Sequence, residues 1–124
     1  MTNNALATDL ILGLLASGGA TLDTATGIAP RDGYMVGVAG HGIAPPIPVD
    51  GRHSVALVSN WIEREADLLA RPNAYVGAWR DEDGGRDYFD VSLRYGSLDE
   101  ALAVARQTGE IAVWSLHESR EIRA

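Results

Sequence analysis

The stretch YVGAWRDEDGGRDYFDVS, residues 75–92, constrains the fold of this chain more than any other. Apolar and polar residues alternate on both sides of an acidic, glycine-containing segment, which is the pattern of a β-hairpin. A turn centred on Asp83-Gly84 brings two pairs of opposite charge together across the strands, Arg80 with Asp87 and Asp81 with Arg86. A turn centred on the next pair of residues would place two acids opposite each other, so we expect the first register.

Because side chains alternate between the two faces of a strand, this hairpin has two faces of different character. The apolar face carries Val76, Ala78, Phe89, Val91 and Leu93. The opposite face carries Tyr75, Gly77, Trp79, Tyr88, Asp90 and Ser92. We predict that the first face belongs to the core. The second face sets an aspartate beside aromatic rings, which makes it the candidate functional surface.

Three other segments show helical periodicity. In the first of them, Leu6, Leu10 and Leu14 recur at the spacing of one helix face. In the last, Ser97 and Glu100 form a capping box, in which each side chain accepts a hydrogen bond from the other residue's backbone N–H. The predicted helices span residues 1–18, a segment from Ser54 or Ser59 to Ala70, and a segment from Ser97 to Gly109.

The remaining segments complete a fold prediction. YMVGVA (34–39) and EIAVWSL (110–116) have the composition and alternation of strands. The proline-rich segment 43–51 is predicted to be a loop, and the charged tail 117–124 is predicted to fray. Together these elements indicate a single α+β domain, residues 1–124. Its sheet is expected to be mostly antiparallel, with two to three helices packed on it.

The charge balance and composition narrow the classes of function. The chain has 17 acidic residues, 10 arginines, no lysine and no cysteine, and its net charge is −7. A surface of this sign repels phosphate backbones, so we expect no direct nucleic-acid binding. The absence of cysteine excludes disulfides, thiolate metal sites and cysteine nucleophiles. The N-terminus lacks the positive charge of a signal peptide, and no apolar run could span a bilayer, so we expect a cytoplasmic protein without membrane association.

None of the residues that commonly carry chemistry stands in a complete motif. Asp81 and Asp83 have only the first spacing of an EF-hand calcium loop. His41 lies in the sequence GVAGHG, which lacks the spacing of a dinucleotide-binding or phosphate-binding loop. Asp87 and Asp90 are three residues apart on a strand and point to opposite faces, so they do not form a facing acid–base pair. We therefore predict no catalytic residue, no metal site and no cofactor.

Six short runs of the chain form a recognisable set: Gly18–Asp23, Gly33–Gly37, Tyr75–Trp79, Asp90–Ser92, Asp99–Ala101 and Ile111–Trp114. Together they resemble a family of small uncharacterised proteins of actinobacteria and their phages. The resemblance covers residues 18 to about 122 and its motifs are structural in character. Where family members carry an acid after the last tryptophan, this chain has Ser115. The resemblance implies a mobile-element setting and no particular activity.

Three functions from different classes fit these residues. The first, which we favour, is a non-enzymatic interaction protein that binds a host macromolecule, either a protein partner or a second copy of the chain in a homodimer. Its predicted contact residues are Tyr75, Trp79, Tyr88 and Asp90. The second is an acidic DNA mimic that inhibits a defence enzyme. The third is a small-molecule binder or enzyme that uses Tyr88, Asp90 and His41. The first requires the aromatic face to be open, and the N-terminal helix is the alternative cover for it.

Overall fold

An antiparallel sheet of seven strands runs through the computed structural model, which describes all 124 residues. The helices are α1 (Asn3–Ser17), α2 (Val55–Arg64), the single turn α3 (Ala66–Leu69) and α4 (Leu98–Thr108). The strands are β1 (Gly19–Asp23), β2 (Tyr34–Gly37), β3 (Ile47–Pro48), β4 (Ala74–Asp81), β5 (Arg86–Tyr95), β6 (Ala112–Ser115) and β7 (Arg120–Arg123). Their order in the sheet is β1-β4-β5-β2-β6-β7, with β3 paired to β5. The predicted α+β fold is confirmed.

Strands β4 and β5 form the hairpin that the sequence predicts. The register is the expected one, with Trp79 opposite Tyr88 and Arg80 opposite Asp87. The connection differs from a two-residue turn, because the strands are joined by a four-residue loop. In that loop Gly85 has a φ of 67°, a left-handed conformation that glycine adopts without a steric penalty. The charge pairs therefore predict the register correctly, while the form of the loop depends on which glycine takes the left-handed conformation.

Helices α1 and α2 pack on one face of the sheet, which we call the helix face. Leu6, Leu10 and Leu14 of α1 are almost completely buried there, as are Val58 and Trp61 of α2. The sheet residues in the same cluster are Leu22, Ala74, Val76, Ala78, Phe89, Val91 and Leu93. The predicted apolar face of the hairpin is thus the main core of the protein.

Helix α4 covers the other half of the helix face. Its small residues allow it to approach the sheet closely, and the resulting cluster consists of Val36, Ala101, Ala105 and Val113. The helix begins where predicted, with the Ser97 hydroxyl accepting a hydrogen bond from the Glu100 N–H at 3.4 Å. It ends at Gly109, which has a φ of 80° and donates its N–H to a carbonyl of the last turn.

Two segments differ from the sequence prediction, and a third was assigned no structure by it. The tail 117–124 does not fray, because residues 120–123 form β7 and pair along their length with β6. The loop 43–51 contains the short strand β3, which pairs with β5 at Asp87 and Arg86. The segment 19–23 forms the edge strand β1, which pairs with β4. Backbone pairing overrides weak local propensity in all three segments, with the preceding strand in the case of β7 and with strands distant in sequence in the cases of β1 and β3.

The second face of the sheet, which we call the open face, carries no helix. Helix α1 does not cover it, since the leucines of α1 are buried in the core on the helix face. The aromatic face of the hairpin is part of this open face, and Trp79 there is 46% exposed. The alternative that α1 shields the aromatic face is thereby excluded.

No helix of the structure combines the length and the hydrophobicity needed to cross a membrane.

Candidate functional site

The open face is concave and encloses a cavity of about 710 Å³. Every strand except the short β3 contributes to its lining. Two tryptophans, Trp79 on β4 and Trp114 on β6, line it from strands that are separated in the sheet by β5 and β2. Three carboxylates also line it, from Asp90, Glu110 and Glu121. No arginine or histidine is among the lining residues, so the cavity is acidic and partly aromatic.

Two glycines on the open face leave room for two of these carboxylates. Gly77 lies opposite Asp90 in the β4–β5 ladder, and a methyl group at Gly77 would lie 3.2 Å from Asp90 Oδ1. Gly37 of β2 has space above it, where the nearest atoms to an added methyl group are the two carboxylate oxygens of Glu110, at 4.0 Å. At Gly37 and Gly77 the sheet surface is therefore bare of side chains, which leaves room for the carboxylates of Glu110 and Asp90.

Glu110 reaches this cavity because of the way α4 ends. The left-handed Gly109 terminates the helix on the helix face, and the Glu110 N–H then donates to the Ala105 carbonyl at 2.8 Å. The chain enters β6 two residues later. The helix terminus thus places a carboxylate over Gly37, in the same cavity as Asp90.

The surroundings of Asp90 in this cavity shift its ionisation. The pKa of the half-buried Asp90 carboxyl is raised to about 6, mainly by burial and to a smaller extent by the negative charge of Glu110. The indole N–H of Trp79 acts in the opposite direction, because it favours the charged carboxylate. Asp90 therefore titrates close to neutral pH, in an environment that holds no cation to neutralise it.

Trp79 is held in place by Tyr88, its cross-strand neighbour. The two rings stack with centroids 4.4 Å apart and planes inclined by 9°. Stacking of this kind restricts the orientation of an exposed ring at little cost in side-chain entropy on binding. Trp114, the other tryptophan of the open face, is 42% exposed. The cavity consequently presents two large aromatic surfaces to solvent.

The four predicted contact residues do not all line the cavity. Trp79 and Asp90 line the cavity, whereas Tyr88 supports Trp79 from outside the lining. Tyr75 lies on the same face, between Asp23 of β1 and Ser92 of β5 in the strand ladder, and does not reach the cavity. The structure thus brings together two of the four residues directly and a third indirectly.

The contacts of His41 do not support its alternative grouping with Tyr88 and Asp90. The His41 imidazole binds Glu65 at the end of α2, with Nδ1 2.7 Å from the carboxylate. Its backbone carbonyl accepts a hydrogen bond from the indole N–H of the buried Trp61 at 2.8 Å. These contacts hold His41 to the helix face, so it does not join Asp90.

Glu110 and Trp114 were missed by sequence reasoning. Alternation along EIAVWSL places Trp114 on the face opposite Val113, as the structure has it, but nothing in the sequence shows that β6 is separated from β5 only by β2. Glu110 directly follows Gly109, the predicted end of a helix, and an acidic residue in that position does not by itself indicate a functional site. Both residues join the cavity through non-local strand pairing.

A second polar cluster lies on the helix face at the tip end of the hairpin. The Asp87 side chain is fully buried, and its two oxygens bind Arg80 Nε at 2.8 Å, Arg80 Nη2 at 3.0 Å and His53 Nε2 at 2.6 Å. The hydrogen bond from Arg80 is the main cause that lowers the pKa of Asp87, and the bond from His53 acts in the same direction. This cluster ties the loop before α2 to the hairpin, which is a structural role.

The structure contains no group of three or more histidine and carboxylate side chains arranged to hold a metal ion. The acids of the hairpin loop illustrate why. The Asp81 carboxylate accepts a hydrogen bond from the Gly84 N–H at 3.0 Å and so caps its own turn. Asp87 is occupied by Arg80 and His53. These contacts leave only exposed side chains at the loop, without a common centre.

Replacing Asp90 by asparagine is expected to stabilise the protein at pH 7.5 by about 1–2 kcal/mol and to have no effect at pH 4. The pKa of Asp90 is about 6 in the folded protein and ordinarily 3.8, so the folded state favours the neutral carboxyl. The stability associated with that neutral form is complete below pH 3.8 and is lost as the pH rises through about 6. Urea unfolding at both pH values, with Asp83→Asn at the exposed loop as the control, measures the difference. A destabilised Asp90→Asn variant at pH 7.5 would contradict the assignment.

Comparison with protein-family models, with curated proteins and with solved structures found no match.

Proposed function

We propose that the protein is a non-enzymatic binding protein and that the open face is its recognition surface for a protein partner. The observation that carries this proposal is the uncovered sheet face with two exposed tryptophans, Trp79 and Trp114, on a cavity of about 710 Å³. Exposed aromatic side chains that flank a concave surface are typical of interaction sites, where they supply most of the binding energy. The other face of the same sheet is fully used by the core.

Two features of the open face that lower the stability of the fold support its assignment as a recognition surface. Asp90 is kept on the open face although its ionisation is unfavourable there, as its raised pKa indicates. Residues that reduce stability without contributing to the core are characteristic of functional surfaces. The glycines at 37 and 77 are a second such feature, because glycine within a strand lowers sheet stability.

The two competing functions have less support from the described contacts. A DNA mimic requires many unpaired carboxylates strung along a surface, but at the hairpin tip, where the acids are densest in the sequence, Asp81 caps its own loop and Asp87 is buried against Arg80. A catalytic use of Tyr88, Asp90 and His41 lacks its histidine, which binds Glu65. A homodimer formed by apposing two open faces would bring the carboxylates of both copies together, and like charges at an interface oppose association.

The resemblance to proteins of actinobacteria and their phages leads us to propose that the partner is a protein of the bacterial host and that binding takes place in the cytoplasm. The acidic surface, with a net charge of −7, favours a basic partner over nucleic acid.

Photocrosslinking from the open face tests the proposal. The photoreactive amino acid p-benzoylphenylalanine replaces Trp79 in one variant and Trp114 in a second. In the control variant it replaces Leu57, an exposed residue of α2. We expect irradiation of host cells to give one defined protein adduct from position 79 and none from position 57. An adduct with a second copy of the chain would replace the host partner by a homodimer. Absence of any adduct from positions 79 and 114, or equal adducts from position 57, would contradict the proposal.

A blocking variant supplies a second test. Gly37→Val places a branched side chain in the cavity at a position where an added Cβ meets only the Glu110 carboxylate, at 4.0 Å. Valine suits a strand, so we expect the variant to remain folded. It is expected to abolish the adduct formed from position 114. Retention of that adduct would place the partner elsewhere.

A further inference from the structure

We infer that the occupant of the open-face cavity is a basic segment of the partner protein, whose arginine or lysine side chain lies between the tryptophans and binds the Asp90 and Glu110 carboxylates. This inference rests on the proposed function and specifies the chemistry of the partner. It follows from charge complementarity and from the aromatic lining of the cavity.

The charged residues that line the cavity together with Asp90 are all acidic. Glu110 and the exposed Glu121 are the other ionisable groups that line the cavity. The lining residues from β1, β2, β4 and β6 are all uncharged, among them Thr21, Gly77 and Trp79. The loop 24–33 between β1 and β2 adds Ala29 and Pro30 to the lining, which are also uncharged. With no internal cation, the carboxylates are left to a cation from outside.

The two tryptophans of the cavity also favour a cationic ligand. The face of an indole ring attracts a cation, and the attraction grows when the site excludes water. A planar guanidinium can stack on the ring while it donates hydrogen bonds to a carboxylate. The Trp79 indole, held by its stack with Tyr88, and the exposed Trp114 both offer such surfaces. An anionic or neutral polar segment would leave Asp90 and Glu110 unpaired.

Isothermal titration with an N-acetylated, C-amidated peptide of alternating arginine and alanine tests this inference. The matched control peptide carries citrulline, which has the shape of arginine without its charge. We expect the arginine peptide to bind at least tenfold more tightly. Asp90→Asn and Glu110→Gln are each expected to weaken its binding about tenfold, as loss of one partner of a charge pair does. Asp83→Asn removes the same charge outside the cavity and is expected to leave binding unchanged.

Binding of the arginine peptide is also expected to depend on pH. Asp90, with a pKa of about 6, must lose its proton before it binds a cation. Affinity should therefore rise about tenfold from pH 5 to pH 7. This rise should disappear in Asp90→Asn. A nonspecific attraction between a basic peptide and an acidic protein would show the same pH dependence in Asp90→Asn as in the unmodified protein.

The outcomes separate this inference from the proposed function. Equal binding of the arginine and citrulline peptides, or an Asp83→Asn variant as weak as Asp90→Asn, would overturn the inference. If position 79 also gives its crosslinked adduct in host cells, the recognition surface stands and only the basic occupant is wrong. If position 79 gives no adduct and the arginine peptide does not bind, both the inference and the proposed function are wrong.

Discussion

Trp61→Ala is expected to lower the free energy of unfolding by about 3–5 kcal/mol, the usual effect of removing a buried tryptophan. Trp61 is 1% exposed, packs edge-on against Phe89 with ring centroids 6.4 Å apart, and donates its indole N–H to the His41 carbonyl. Its removal leaves a large cavity in the core and an unpaired carbonyl. Trp79→Ala, by contrast, removes a half-exposed ring whose main contact is one stacked tyrosine, so we expect a loss of only about 0.5–1.5 kcal/mol.

Chemical unfolding of the two variants beside the unmodified protein measures this contrast. The two tryptophans serve as matched controls, because the substitution is the same and only its surroundings differ. A Trp79→Ala variant as unstable as Trp61→Ala would show that the open face is covered in solution. The proposed recognition surface would then be part of the core.

Asp87→Asn is expected to lower the free energy of unfolding by about 3 kcal/mol at pH 7, at the lower end of the range for breaking a buried ion pair. The carboxylate is covered by Arg80 and His53 and not by depth within the core, which is why we expect the lower end. Asparagine leaves the charge of Arg80 without its counter-ion and offers only one oxygen to both partners. Asp83→Asn, in the exposed hairpin loop, is the control and should have little effect.

The effect of Asp87→Asn should also diminish in acid. The pKa of Asp87 lies below its ordinary value of 3.8, because Arg80 and His53 favour the charged form. A lowered pKa means that the stabilisation is present above pH 3.8 and is lost as the pH falls through the lower value in the folded protein. Unfolding measured from pH 7 to pH 2 should show the two proteins converging at the acid end. A constant difference over that range would show that the loss comes from packing and not from charge.

Local patterns in the sequence determined much of the fold. The alternation along residues 75–93 and the charge pairs near Asp83-Gly84 predict the hairpin, its register and its core face, because strand pairing across a short loop depends on residues that are close in sequence. Ser97 and Gly109 likewise mark both ends of α4 through hydrogen bonds to neighbouring backbone groups. Trp79 and Asp90 were placed on one face by the same alternation.

Only the tertiary structure decided what lies over and beside those elements. Whether α1 covers Trp79 depends on which face of the sheet its leucines meet, and periodicity within a helix is the same for either face. The pairing of β2 with both β5 and β6 brings Trp114 and Glu110 to the cavity of Asp90, and His53 reaches Asp87 across 34 residues of chain. These contacts are selected by the burial of the whole core, which is a non-local sum that no short segment encodes.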